Sequence, residues 1–132
     1  MTSLRLLALV VGLTLLAGCG PRKLDNPQAY RQAAANVSEI RERYQRTDAA
    51  TRVGLVIGAN AQSNLVSVGE INPKEFRDGD KVVFVDDRQN ALASGTVVRV
   101  LQDSIHVRYD SPAAGGRAPR EGDVMVRFRP AI

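Results

Sequence analysis

Six short runs rich in β-branched residues fill much of the C-terminal part of this 132-residue chain, and they limit its fold more than any other feature. Short polar turns separate the runs, and alternating apolar residues over such lengths are typical of β-strands. The runs are Val53–Ile57, Leu65–Val68, Lys81–Val85, Thr96–Leu101, Ser104–Tyr109 and Val124–Phe128. Strands this short and closely spaced favour a closed barrel or a sandwich, which hides their edges. We therefore expect residues 51–132 to form a mainly β domain of about five to six strands.

The composition fits a core made of aliphatic side chains. Aromatic residues make up 5% of the chain and tryptophan is absent, so valine, leucine and isoleucine must fill the core. Cys19 is the only cysteine, so no disulfide within the chain can stabilise the fold. A compact β domain suits this composition better than a large catalytic cleft does. We expect no cofactor.

The segment before the strands has the spacing of an amphipathic helix over residues 27–46. Asn26 fits the N-cap position, and Pro27 fits the first helical position. The apolar residues recur every three or four positions and share one stripe, which consists of Tyr30, Ala33, Val37, Ile40 and Tyr44. Two interpretations of this stripe are open. It packs on the β domain, or it forms a short parallel coiled coil that gives a weak homo-oligomer.

An apolar run from Leu6 to Leu16, preceded by Arg5, lies near the start of the chain. Its length of about 11 residues is too short for a membrane-spanning helix but is typical of a signal peptide. The run ends in the motif Leu16, Ala17, Gly18 and Cys19, which resembles the lipobox of bacterial lipoproteins. The resemblance implies a signal peptide over residues 1–18, cleavage before Cys19 and acylation of the Cys19 thiol.

The same resemblance implies an address and a first partner. A lipid-anchored chain belongs to the cell envelope, held to the membrane by residues 19–26, which are the lipidated cysteine and a short tether. Gly20 follows the cysteine, whereas many lipoproteins retained at the inner membrane have Asp there. The resemblance therefore favours the periplasmic face of an outer membrane, in an organism that has one. The expected partner is an envelope protein or a cell-wall component, and no nucleic acid.

Two turns in the β region repeat one pattern. Arg77–Asp80 and Arg120–Asp123 both read as a basic residue, an acidic residue, glycine and aspartate, and both precede a valine-rich strand. Glycine can take a positive φ there, and aspartate can bond nearby backbone N–H groups. Such a turn and strand, followed by Gly95–Val100, look like small SH3-like barrels. Residues 53–109 also resemble the β modules of periplasmic envelope proteins, including the C-terminal domain of a flagellar assembly protein. These resemblances imply a fold and no functional residues.

The sequence favours neither catalysis nor metal binding. His106 and Ser104 fit one face of a strand, but Asp103 is adjacent to Ser104 and points elsewhere, so a hydrolytic triad is not formed. The acids in the turns lack the spacing of a calcium loop, and aspartates in β-turns usually serve the turn itself. Those acids are Asp78, Asp80, Asp86 and Asp87. We expect no enzyme and no metal site.

Arginines provide the one candidate binding surface. If Val98 and Val100 point inward, Arg99 points outward. The same alternation places His106 and Arg108 outside on the next strand, and two further arginines outside on the last. The candidate anion-binding face is therefore Arg99, Arg108, Arg127 and Arg129. Without residues 1–18 the chain holds 18 − 1 = 17 basic and 14 acidic residues, an excess that allows an anionic partner but does not require one.

These patterns lead to one expected function and one alternative. The expected function is that of a non-catalytic lipoprotein of the cell envelope, which docks to a partner through the β domain or the helix. The alternative is an accessory protein that binds an anionic ligand, either a cell-wall polymer or lipid head groups, through the arginine face. The same face also fits a third interpretation, a solvated surface balanced by neighbouring acids.

Overall fold

One helix precedes six strands, so the predicted mainly β fold is confirmed. The structure is a computed structural model, and it describes Leu24, residues 26–112 and residues 114–129. The elements are α1 (Pro27–Thr47), β1 (Arg52–Asn60), β2 (Leu65–Gly69), a 3-10 helix (Pro73–Glu75), β3 (Lys81–Val85), β4 (Ala91–Val100), β5 (Ile105–Tyr109) and β6 (Val124–Arg127).

The six strands form a closed barrel in the order β1-β2-β5-β4-β3-β6. Every neighbouring pair is antiparallel. Of the two architectures that the sequence allowed, the barrel is the one observed. Closure leaves no strand edge open for pairing with another chain.

Helix α1 begins and packs as its sequence predicts. The Asn26 side chain accepts a hydrogen bond from the backbone N–H of Gln28 at 2.8 Å, and Pro27 occupies the first turn. The apolar stripe packs on the outside of β1, β3 and β6. This is the packing on the β domain that the first of the two interpretations predicts. We call this packing the helix-side cluster; its buried members are Val37, Ile40, Val53, Leu55, Val85, Val124 and Val126. Among the described residues, no helix is long and apolar enough to cross a membrane.

A second cluster fills the inside of the barrel. It centres on Phe84 and Met125, which face each other across β3 and β6 and are both fully buried. We call it the barrel-interior cluster; its other members are Val56, Val66, Val68, Phe76, Val82, Leu92, Ala93, Val97, Ile105, Val107 and Tyr109. Side chains therefore occupy the barrel interior, as expected for so small a barrel.

Strand β4 is longer than the sequence predicts. It begins at Ala91 rather than Thr96, because its first half, apart from Leu92, is made of small residues that have no strand signature of their own. Gly95 shows why small residues are needed. A Cβ atom there would lie 2.9 Å from Cε2 of Phe84 and 2.9 Å from the backbone oxygen of Arg108. The Phe84 ring therefore packs directly against the β4 backbone.

The predicted inward orientation of Val98 and Val100 is wrong. A β-bulge shifts the pairing of β4 with β5 between Val97 and Arg99, and such a bulge adds one residue and changes the alternation. Val97 is buried in the barrel interior, and Val100 is 37% exposed. Arg99 faces outward on the far side of the bulge.

The two repeated turns have the predicted geometry. Gly79 and Gly122 take φ values of 93° and 94°. In the first turn the Asp80 carboxylate accepts a hydrogen bond from the backbone N–H of Arg77, at 2.9 Å. The second turn repeats this bond between the Asp123 carboxylate and the backbone N–H of Arg120, at 2.8 Å.

The repeated turns also hold the two bulged strands in the same way. Gly79 N–H donates to the Val97 carbonyl, and Val97 N–H donates to the Asp80 carbonyl. In the other half, Gly122 N–H donates to the Val56 carbonyl, and Val56 N–H donates to the Asp123 carbonyl. Val56 and Val97 each stand directly before a bulge. If β1, β2 and β3 exchange places with β4, β5 and β6, respectively, every strand keeps the same kind of neighbours in the ring. The barrel therefore has an approximate two-fold arrangement.

Candidate functional site

Two of the four predicted face arginines lie where the sequence places them. Arg99 on β4 and Arg108 on β5 are exposed, and Ile105, Val107 and Tyr109 on β5 are buried. In the ring, β4 and β5 stand opposite β1 and β6, which α1 covers. The arginines are therefore on the side of the barrel that faces away from the helix.

The predicted outward position of Arg127 is wrong, because its side chain is only 6% exposed. All four residues of β6 are buried. Val124 and Val126 do point out of the barrel, but they meet α1 there. Met125 therefore fills the interior, and Arg127, two positions later, points the same way.

Arg127 closes one end of the barrel. Its guanidinium carbon lies 4.7 Å from the centre of the Phe76 ring, and Nη1 is 3.2 Å from Asp80 Oδ2. Nη1 also donates to the backbone carbonyl of Glu75, while Nε is buried without a partner among the described residues. These contacts make Arg127 part of the fold rather than of a binding face.

Asp123 closes the opposite end in a matching way. It stands two positions before Met125, and its side chain is 5% exposed. Arg117 binds both carboxylate oxygens, at 2.7 and 2.8 Å. The hydrogen bonds that Arg117 donates to Asp123 outweigh the cost of burial and hold the pKa of Arg117 above its ordinary value. The interior is thus closed at both ends by ion pairs.

Arg129 is exposed, but its guanidinium forms a salt bridge with Asp48 of the same chain. Its guanidinium lies 3.0 Å from Asp48 Oδ1, just past the end of α1. The hydrogen bond from Arg129, followed by that from the backbone of Ala50, lowers the pKa of Asp48. The neighbouring Phe128 ring makes an edge-on contact with Tyr44 of α1, with centroids 5.8 Å apart. Arg129 therefore belongs to the helix side and not to the face of Arg99 and Arg108.

Strand register places a third cation, Lys81, on the same face. Lys81 is opposite Thr96, and Thr96 is opposite Arg108 on the other side. Lys81 also donates to the Thr96 hydroxyl at 2.9 Å. Lys81 is not among the predicted face residues, although alternation on β3 carries the signal: Val82 and Phe84 are inside, so Lys81 is outside.

Two rows of side chains cross this outer face. The Arg99 row runs through directly paired residues of β1, β2, β5 and β4: Gly58, Ser67, His106 and Arg99. The Arg108 row runs beside it from β1 to β3: Asn60, Leu65, Arg108, Thr96 and Lys81. Both rows carry their positive charges toward β4 and β3 and their uncharged groups toward β1.

A shallow cleft of about 280 Å³ lies at the uncharged end of the two rows. Gly58, Asn60, Ser63, Ser67 and His106 supply its polar lining together with exposed backbone. Gly58 leaves this space open, since a Cβ atom there would have no neighbour nearer than 3.8 Å. Gly58 stands two residues after Val56, and Arg99 stands two residues after Val97, so the two are counterparts in the two-fold arrangement. Gly58 therefore leaves the surface open at the β1 bulge, whereas the Arg99 side chain occupies the equivalent position at the β4 bulge.

The cations of this face are not neutralised by ion pairs within the part of the chain that the structure describes. The four salt bridges found there involve Arg52, Arg117, Arg127 and Arg129. The acids closest to β5 in sequence, Asp103 and Asp110, stand before and after that strand. Asp110 accepts a hydrogen bond from the Ser94 hydroxyl at 3.2 Å. The face therefore keeps a local positive charge.

The other candidates from the sequence have ordinary structural positions. His106 is half-buried between Ser67 and Arg99, while Ser104 lies in the turn before β5. Asp86 serves its turn: burial opposes its ionisation, but hydrogen bonds from Asn90 and Arg88 outweigh it and lower its pKa. Within the described ranges, no group of three His, Cys, Asp or Glu side chains is placed to hold a metal ion.

The motif that resembles a lipobox, Leu16 to Cys19, lies outside the described residues. The first of these is Leu24, whose backbone N–H lies 3.3 Å from Glu121 Oε2 and whose side chain packs against the helix-side cluster. No protein family model, curated protein or solved structure matches the chain.

Proposed function

We propose that this chain is a lipid-anchored component of a bacterial cell envelope that acts by docking rather than by catalysis. The observation that carries the proposal is the motif Leu16 to Cys19 at the end of a short apolar run. In this proposal the signal peptide is removed, Cys19 is acylated, and the domain sits at the periplasmic face of an outer membrane. Two or three acyl chains would hold it there permanently, at roughly 0.8 kcal/mol for each buried methylene.

The position of Leu24 supports a short anchor. Leu24 is bound to the fold and stands 24 − 19 = 5 positions after Cys19. Five residues span at most about 18 Å when fully extended. An acylated Cys19 would therefore keep the domain close to the bilayer, with the Glu121 end of the barrel nearest to it.

The filled barrel supports docking over catalysis. Phe84, Met125 and their neighbours occupy the interior, and ion pairs of Asp80 and Asp123 close its ends. Binding in such a molecule takes place on its outer surface. One observation favours the second candidate, an accessory protein for an anionic ligand: Arg99, Arg108 and Lys81 share one exposed face.

Replacement of the acylated atom tests the anchor. In bacteria supplied with radioactive palmitate, the natural chain should be labelled and should stay in the membrane fraction after a high-salt wash. Cys19→Ser should remain unlabelled and at precursor size. Arg99→Gln, which leaves the motif intact, serves as the control and should be labelled and processed normally. Normal labelling and processing of Cys19→Ser would contradict the proposal.

A further inference from the structure

Two cations of the rows, Arg99 and Arg108, are each one strand away from the cleft. His106 lines the cleft and is directly opposite Arg99, and Leu65 lines it and is directly opposite Arg108. Neighbouring strands are about 4.8 Å apart, so each of these two arginines lies about that distance from a residue that lines the cleft. Lys81 stands two strands from Arg108, about 10 Å away by the same spacing.

We infer that this face binds an anionic saccharide. One sugar unit lies in the cleft, where Ser63, Ser67 and Asn60 offer hydrogen-bonding groups to its hydroxyls. Its acidic group lies between Arg99 and Arg108, whose guanidinium groups suit carboxylate and phosphate oxygens. The inference rests on the anion-binding form of the proposed function and names the class of its ligand.

The size and chemistry of the face favour a saccharide over other anions. A cleft of 280 Å³ is slightly smaller than the roughly 300–1,000 Å³ of common small-molecule sites, so it suits a single small unit of a longer polymer. Nucleic acids and protein partners usually need exposed aromatic side chains to stack on or to anchor. Among the described residues, the large exposed hydrophobic side chains are Val100 and Phe128, and Phe128 lies beside α1.

The position of the face favours a polymer over the lipid head groups of the anchoring membrane. Leu24 packs in the helix-side cluster, while the face lies on β4 and β5 on the other side of the barrel. The helix-side cluster and the filled interior both lie between them. A tether of at most about 18 Å from Leu24 favours orientations in which the face is turned away from the bilayer. The face then meets the space beyond the membrane surface.

Binding of the full chain in detergent micelles to immobilised polygalacturonate, with neutral dextran as the reference polymer, tests the charges. The natural chain should bind polygalacturonate and ignore dextran, and added salt should weaken binding. Arg99→Gln and Arg108→Gln should each lower affinity about tenfold. The matched control is Arg43→Gln, which removes the same charge from an exposed position on α1 and should bind normally.

A second variant tests the cleft without changing charge. Gly58→Val fills the cleft, and its Cβ meets only ordinary contacts with Ser67, at 3.8 and 3.9 Å. It should melt at the natural temperature and still lose about tenfold in affinity. This variant separates a saccharide site from a simple patch of charge, which Gly58→Val would leave intact.

The outcomes are distinct. The inference is overturned if the natural chain ignores polygalacturonate at low salt, or if Gly58→Val or both arginine variants bind normally. It is also overturned if phosphatidylglycerol vesicles compete as strongly as free galacturonate oligomers, since the ligand would then be a lipid head group. The Cys19→Ser chain should bind polygalacturonate as the natural chain does. Loss of palmitate labelling and loss of polymer binding therefore report separately on the anchor and on the site.

Discussion

Strands β5 and β6 both contain an arginine directly after a valine, Arg108 and Arg127, but the two strands lie in opposite environments. On β5 the residues pointing out of the barrel, His106 and Arg108, are partly or fully exposed. On β6 the outward residues Val124 and Val126 are covered by α1, and every residue of the strand is buried. The difference between the two strands is the helix, which turns one outer surface of the barrel into a second core.

This difference separates the stabilising side of the molecule from the candidate binding side. On β6, the side chain of Arg127 points into the barrel and is enclosed there. Its guanidinium pairs with Asp80 and lies over the Phe76 ring. On the bare side, outward arginines keep their charge and are available to a ligand. The same residue type therefore has a structural role on β6 and a candidate binding role on β4 and β5.

The largest expected effect is the loss of stability when Arg127 is changed. Arg127→Gln leaves Asp80 without its buried partner, and such changes typically cost about 3 kcal/mol. Arg99→Gln makes the same chemical change on the bare side and should alter the free energy of unfolding by less than about 0.5 kcal/mol. Urea denaturation of both variants measures the contrast. Equal stabilities would mean that the two sides do not differ as described.

Two glycines give the next contrast. Gly95→Ala places a Cβ atom 2.9 Å from a backbone oxygen and from the Phe84 ring, and overpacking of this kind costs about 2 kcal/mol. Gly58→Ala adds the same methyl group to the open surface and should leave the free energy of unfolding nearly unchanged. Thermal melts of the two variants check this. A stable Gly95→Ala would show that the β4 backbone can move away from Phe84.

Local features of this fold were predictable from the sequence. The cap at Asn26, the stripe of α1 and the two Gly-Asp turns depend on residues that are close in the chain. The start of β4 was missed because most residues of Ala91–Gly95 have low strand propensity, and the reason for glycine at Gly95 is close packing against the Phe84 ring, which is distant in sequence. The bulge after Val97 was missed for a similar reason, since the turn at Gly79 and Asp80 holds it from another part of the chain.

The candidate site was predictable only in part. Alternation on β5 gave Arg108, and Arg99 faces outward even though the orientation assumed for Val98 and Val100 was wrong. Arg127 was assigned to the wrong side because alternation on β6 shows two faces without showing which one encloses the barrel core. The cleft depends on the pairing of Gly58 with Ser67 and of Ser67 with His106, and such register is a property of the folded sheet.

The smallest expected effect concerns the hydrogen bonds that hold α1 against the barrel at Glu70. The Tyr30 hydroxyl donates to the Glu70 carboxylate, and Arg41 donates to the Glu70 backbone carbonyl. Glu70 takes a φ of 56°, which is uncommon for a residue other than glycine, so the helix binds a turn of unusual conformation. The hydrogen bond to Glu70, then burial, then the charge of Glu70 raise the pKa of Tyr30 from 10.0 to about 12.

This raised pKa gives a stability contribution with a defined pH window. The folded chain holds the Tyr30 proton more tightly than the unfolded chain, so the contribution is complete below pH 10.0 and is lost as pH rises through about 12. In an absorbance titration of tyrosinate, Tyr30→Phe should remove the component near pH 12, and Glu70→Gln should move it to lower pH. Because the hydroxyl lies near the surface, the change in stability should be small. A component of unchanged size near pH 12 in Tyr30→Phe would show that the pKa of Tyr30 is not raised by this bond.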